Sequence, residues 1–232
     1  LRWPRAWMMY IVNKAFLIEP GFRIDAECIE EALLATNLEL LSLPPSLYKC
    51  IDYKTVSSMV GALFCDAIAK RTDGIVNPIE KGHPDIVPSS ASSASEAQLR
   101  NYPAGLEVKS TVGNVIKGAN LRAGEMRIKH LTGITWQAHH REVRELMGLV
   151  WDFWNLKDGF SYPGITGIFY SSDLDVEDWG AISGTTGRNT KVSGMLKSGK
   201  DKMGKGWVAI LSLSGYPETF SSLLNTPLRA NE

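Results

Sequence analysis

The sequence predicts an α/β fold, a central mixed β-sheet flanked by α-helices. Three observations carry that expectation. Apolar residues recur at helical spacing in two early segments, Ile24 to Leu41 and Tyr53 to Arg71, and short apolar runs of β type follow from Leu106 onward. The resulting order of helix, strand, strand, helix, strand, strand leaves enough chain for the crossovers of a mixed sheet. With 232 residues, 44% of them hydrophobic, the chain can bury a sizeable core. The expected organisation is one domain over 1–232, with an N-terminal helical part (1–50), a core (51–155) and a C-terminal part (156–232).

Leu1 to Phe16 is rich in Trp and Met, but Arg2, Arg5 and Lys14 interrupt it and no small-residue cleavage site follows, so it reads as folded structure. In the first helix Ile29, Leu33, Leu34, Leu38 and Leu41 share one side, and Pro44-Pro45 prevents it from continuing. The second helix buries Val56, Val60, Leu63, Phe64, Ala67 and Ile68, with Asp66 at the edge of the stripe and Gly74 beyond the end. Ile75 to Pro88 reads as extended chain with turns, Ser89 to Ser95 as an exposed loop, and Leu106 to Thr111 as a strand. The spacing Trp136, His140, Val143, Met147 predicts an amphipathic helix over Thr135 to Met147 whose other face carries Gln137, Arg141 and Arg144. Leu149 to Trp154, Ile165 to Tyr170 and Trp207 to Leu213 read as strands. Ser183 to Gly206, between the last two, is mostly Gly, Ser, Thr, Lys and Arg.

Bulk properties narrow the function classes. Lys plus Arg balance Asp plus Glu at 25 each, so any nucleic-acid surface must be local. The three cysteines, Cys28, Cys50 and Cys65, lack the close pairing of a zinc site and are odd in number; they are expected to be buried thiols. No apolar run reaches the roughly 18 residues that span a bilayer, so a soluble cytoplasmic protein without a membrane partner is expected.

Two acids and a lysine stand out. Asp85 follows Pro84, and Glu107 and Lys109 lie two apart on the strand from Leu106, so both project from one face while Val108 turns into apolar packing. Cleaving a phosphodiester at neutral pH needs a cation on the scissile phosphate, a deprotonated water and help for the departing oxygen. Magnesium prefers carboxylate oxygens plus its own waters. Asp85 and Glu107 can supply the carboxylates, the Val108 carbonyl a further ligand, and Lys109 can orient or activate the water. The alternative is a solvated ion pair between Glu107 and Lys109 on an edge strand.

His83-Pro84-Asp85-Ile86-Val87 followed by Leu106-Glu107-Val108-Lys109-Ser110 resembles the PD-(D/E)xK nuclease superfamily, and most of all type II restriction endonucleases. The hallmark positions are Asp85, Glu107 and Lys109. Gly61-Ala62-Leu63-Phe64-Cys65-Asp66 fits a further carboxylate on the preceding helix, with Asp66 in place of the commoner Glu. The resemblance covers roughly Tyr53 to Trp154 and departs from the pattern in the long gap between Asp85 and Glu107, which contains the Ser89 to Gly105 insertion. It implies a restriction-endonuclease-like core, one or two Mg2+ ions, and cleavage of double-stranded DNA at a short sequence to leave 5′-phosphate ends. It also implies a homodimer and a cognate DNA methyltransferase in the same system. Alternatives are a repair or junction-resolving nuclease of the same fold, or a non-catalytic DNA-binding protein on that scaffold.

For DNA contacts, Arg188, Lys191, Lys197, Lys200, Lys202 and Lys205 face a single acid, Asp201, and Arg188 with Asn189 can read guanine and adenine edges. A solvated basic loop is the bland reading of that stretch. Lys117, Arg122, Arg127 and Lys129 form a second basic set suited to positioning phosphates. His139 and His140 diverge by about 100 degrees on a helix and are not expected to chelate one ion: His140 is expected to pack and His139 to face polar surroundings. His83 directly precedes the motif, which admits a place near the site, with a turn residue as the safer reading. The seven tryptophans are expected to pack rather than stack on bases.

Overall fold

The computed structural model describes residues 9–80, 82–116, 122–139, 141–183 and 192–228. A five-stranded mixed sheet lies between two helical layers, its strands ordered Tyr10–Val12, Trp207–Leu211, Phe160–Ser171, Leu146–Lys157, Val108–Thr111. The chain enters by β1 (Tyr10–Val12) and the small hairpin of β2 (Leu17–Ile18) and β3 (Ile24–Asp25). Three helices follow: α1 (Ala26–Ser42), α2 (Pro45–Cys50) and α3 (Tyr53–Ala69).

The first helix starts two residues later than the periodicity predicts, because Asp25 caps it by accepting from the Cys28 amide at 3.0 Å while Ile24 pairs in β3. Its buried face is Ile29, Ala32, Leu33, Thr36, Asn37, Leu40 and Leu41, so Leu34 and Leu38 sit at the margin rather than in the stripe. Two polar residues enter that face because their hydrogen bonds are made. Thr36 donates to the Ala32 carbonyl, and Asn37 joins the Ile165 amide to the Tyr10 hydroxyl. Pro44-Pro45 does end α1, and Pro45 then opens α2. In α3, capped by Asp52, Val56, Val60, Phe64, Ala67 and Ile68 of the predicted stripe are buried, while Leu63 is only half-buried.

A hairpin of β4 (Gly74–Val76) and β5 (Ile86–Pro88) follows. Ser89 to Ser95 is not simply an exposed loop. Ser89–Ser93 forms a 3-10 turn, and α4 (Glu96–Leu99) begins at a Ser95/Gln98 capping box. Ala91 and Leu99 pack on Val87 as a small satellite core. The chain returns through Gly105 (φ +139°), where a Cβ would stand 2.2 Å from the Ile86 carbonyl oxygen. That close approach allows the antiparallel Ile86–Leu106 bridge, which leads into β6 (Val108–Thr111).

The described residues between Thr135 and Met147 do not form the expected helix. After β7 (Asn114–Val115) and β8 (Leu131–Gly133), that span holds β9 (Gln137–Ala138) and the start of β10 (Leu146–Lys157). Trp136 and Ala138 are buried while Gln137 and His139 are exposed, an alternation of period two, and Met147 already belongs to β10. β10 runs parallel to β6, with Met147 opposite Val108 and Gly148 opposite Lys109, and antiparallel to β11 (Phe160–Ser171). Next come β12 (Ser193–Gly194), which pairs with β9, and α5 (Lys197–Lys205), a helix in the basic stretch to which no element was assigned. β13 (Trp207–Leu211) and α6 (Tyr216–Leu224) complete the fold.

Both faces of the sheet are covered, which explains the almost continuous apolar run of β10. Met147, Leu149, Trp151 and Phe153 face the α1 and α3 layer. Leu146, Val150 and Trp154 face Trp136, Trp179, Met203 and Phe220 on the other side. Cys65 is buried and Cys28 partly so, but Cys50 is exposed at the end of α2, against expectation. Among the described residues, no helix is long and apolar enough to cross a membrane.

Candidate active site

The β4–β5 hairpin and β6 meet at the edge of the sheet under α3. Asp85 immediately precedes β5, and the Ile86–Leu106 bridge sets it beside Glu107 and Val108. Asp85 Oδ2 accepts from the Val108 amide at 2.8 Å. Lys109 Nζ lies 2.5 Å from Glu107 Oε1, 3.2 Å from Asp85 Oδ2 and 3.2 Å from the Val108 carbonyl oxygen. The three hallmark residues are therefore together, with Glu107 and Lys109 on one strand face and Val108 packed into the core. The solvated ion-pair alternative does not describe this pair: the Glu107 side chain is 7% exposed and that of Lys109 20%.

Burial and charge push the two acids apart. Burial works upward on Glu107, but hydrogen bonds from His83 and Lys109 outweigh it and hold the carboxyl at about 2. For Asp85 burial prevails over the pull of Lys109, and its carboxyl stands above the usual carboxylate value. Burial would lower Lys109, yet the facing carboxylates raise its ammonium above the ordinary lysine value.

A cleft of about 450 Å³ opens over these residues. Asp85, Val108, Lys109 and Ser110 form one wall and Ser57, Ser58, Gly61, Ala62 and Cys65 of α3 the other; His83, Asn77 and His139 also line it. Glu107 is not part of the lining; it lies behind Lys109. Ser57 is held by the Trp151 indole, which donates to its hydroxyl at 2.8 Å. Burial raises the Cys65 thiol well above its ordinary value.

His83 is more than a turn residue. Its Nδ1 lies 3.2 Å from Glu107 Oε1 and 3.3 Å from Oε2, and its pKa is raised chiefly by that hydrogen bond. The signal was its position directly before Pro84-Asp85. Ser57 and Ser58 of α3 were also missed, and Gly61, Ala62 and Cys65 were read only as the setting of Asp66; periodicity marks the apolar stripe and not the small residues beside it.

Asp66 is not brought to the cleft. Its carboxylate pairs with Lys70 Nζ at 2.6 Å on the outer side of α3, one residue past Cys65. Of the DNA-contact candidates, Arg188, Asn189, Lys191 and Lys117 lie outside the described residues, as does His140. Lys197 pairs with Asp201 at 2.5 Å, and Lys202 donates to Asp178 Oδ2 at 2.7 Å and to the Asp173 carbonyl. Lys205 is exposed and Lys200 half-buried on α5, and exposed Arg122 lies 3.7 Å from Glu125. None of these described cations lines the cleft. The basic stretch is nevertheless linked to it: β12 pairs with β9, and the next residue after β9, His139, is in the cleft wall.

Among the described residues, no group of three or more His, Cys, Asp and Glu is arranged to hold a metal ion. The donor set here is instead two carboxylates and the Val108 carbonyl, three hard oxygens already gathered round the Lys109 ammonium. It fits a small hard cation that keeps several of its own waters. No family model, curated protein or solved structure matches the chain.

Proposed function

We propose that the chain is a magnesium-dependent DNA endonuclease of the type II restriction kind, with a restriction-endonuclease-like core, hydrolysing double-stranded DNA at a specific short sequence. The observation that carries this reading is the gathering of Asp85, Glu107 and the Val108 carbonyl round Lys109 from two segments of the chain, with Asp85, Val108 and Lys109 lining one open cleft. Asp85, Glu107 and the Val108 carbonyl would hold one or two magnesium ions. When bound, magnesium supplies positive charge to the scissile phosphate and lowers the pKa of a water. Lys109 remains an ammonium at neutral pH, because the carboxylates raise its pKa. Its part is to orient the attacking water and oppose the phosphate charge. Glu107, ionised through the neutral range, keeps its oxygens available as acceptors and ligands.

The DNA lies across the cleft in this reading, with Lys200, Lys205 and Arg122 on phosphates and the stretch containing Arg188, Asn189 and Lys191 reading bases. A second copy supplies the active site for the other strand, and a methyltransferase in the same cytoplasm protects the host's sites. Incubation with Mg2+ and a long phage DNA tests the proposal, and discrete fragments are the expected result. A smear would replace it with a nonspecific nuclease, and cleavage confined to branched substrates with a junction-resolving enzyme. No cleavage by folded protein on any of these DNAs would overturn it.

A further inference from the structure

The Ser89 to Gly105 insertion folds back onto the turn before Asp85. The His83 amide donates to the Arg100 carbonyl at 3.2 Å, the Tyr102 amide donates to the His83 carbonyl at 2.8 Å, and Asn77 Nδ2 joins the carbonyls of Pro84 and Leu99. The backbone of His83 is thus clamped on both sides. Its imidazole reaches the buried carboxylate of Glu107, nearly equidistant from both oxygens at 3.2 and 3.3 Å. An ionised carboxylate only accepts, so Nδ1 carries the proton in this hydrogen bond.

We infer that His83 is a positioning residue: held by the insertion, it fixes the Glu107 carboxylate in the orientation that binds the divalent cation. The inference rests on the nuclease reading and assigns the insertion a task within it. Glu107 has Lys109 as its other side-chain partner, and a cation held by Asp85, Glu107 and the Val108 carbonyl would compete with that ammonium for the same oxygens. His83 is the partner that can remain on Glu107 when Lys109 moves away. Hydrogen bonds of this sort to a ligating group commonly contribute 10- to 100-fold in metal affinity.

The test is MnCl2 binding to the whole chain without DNA, followed by electron paramagnetic resonance, for the wild type and the Asp85→Ala, His83→Ala, His83→Leu and His83→Asn variants. Asp85→Ala defines the site by abolishing it. His83→Ala and His83→Leu should weaken Mn2+ about 10- to 100-fold. His83→Asn, whose amide N–H stands near the place of Nδ1, should recover most of the affinity, which a merely space-filling role would not allow. His83→Leu keeps the volume and carries the test should the alanine variant not fold. Wild-type affinity in His83→Ala or His83→Leu, or an asparagine variant as weak as leucine, overturns the positioning role while leaving the nuclease reading intact. Absence of any Mn2+ site sensitive to Asp85→Ala takes both down.

Discussion

Lys109 has two tasks in this arrangement. Its ammonium is the nearest cation to a glutamate that is almost wholly buried, and it also touches Asp85. Two acids brought this close and out of water would repel each other and lose hydration, so the lysine offsets a cost the site would otherwise carry. Substitutions at the two ends of the pair should therefore differ. Asp85→Ala should abolish cleavage of a plasmid while leaving duplex binding and the melting temperature close to wild type, because the Val108 amide it frees is at the cleft. Lys109→Ala should slow cleavage by about 10²–10³-fold, the usual loss for one preorganised donor. It should also cost about 1–3 kcal/mol of stability by leaving Glu107 underpartnered. Urea denaturation with and without Mg2+ checks the second effect. Added Mg2+ should restore part of the stability lost in Lys109→Ala, since a divalent cation can replace the missing charge; no restoration would mean that the oxygens do not receive a cation.

At the scale of elements, what a sequence reveals depends on whether the pattern is local. Helix α3 was legible because Val56, Val60, Phe64 and Ile68 repeat over several turns and Asp52 caps the start. β10 and β11 were legible as apolar runs, and the spacing of Glu107 and Lys109 told which face they share. The hidden elements are those whose reason lies far along the chain. Trp136, Val143 and Met147 satisfy a helical period, yet β9 exists because Ser193 and Gly194 pair with it, and two alternating residues are too few to outweigh the competing pattern. Helix α5 has the composition of a loop, with Gly199 and Gly204. A Cβ on Gly204 would stand 1.7 Å from the Leu224 carbonyl oxygen, so the glycine is what lets α5 pack against α6. Lys202, read from composition as a DNA contact, reaches Asp178, Asp175 and the Asp173 carbonyl, and fastens α5 to that segment. Lys202→Met should then destabilise the fold, read as a lower urea midpoint than wild type. Burial works upward on Asp178, but the Lys202 and Ser198 hydrogen bonds bring its carboxyl below the ordinary 3.8. A depressed acid contributes stability above its unfolded value and loses it as pH falls through the lower folded one. The gap between wild type and Lys202→Met in urea denaturation should be full at pH 5 to 7 and close below pH 3.8. A gap independent of acid would assign the loss to packing of the lysine stem.

For the whole molecule, one chain presents one cleft with this set of acids and lysine, while a duplex has two strands of opposite direction. An enzyme that cuts both strands at a symmetric sequence meets that geometry most simply as a twofold dimer, each copy facing one strand. Mixing wild type with an excess of Asp85→Ala under conditions that exchange subunits turns this into an observable. Most active molecules then carry one working site and one that binds without cutting. Supercoiled plasmid should accumulate as the open circle, nicked in a single strand, and become linear only slowly through second encounters. Wild type alone should pass to the linear form with little open circle. If the mixture makes linear DNA directly, in proportion to the wild-type protein present, each chain is cutting both strands by itself. The dimer would then be wrong, although Asp85, Glu107 and Lys109 would keep their roles. Sedimentation at the same concentrations distinguishes that outcome from failed exchange, since a dimer that does not mix still sediments as a dimer, whereas an independent cutter sediments as a monomer.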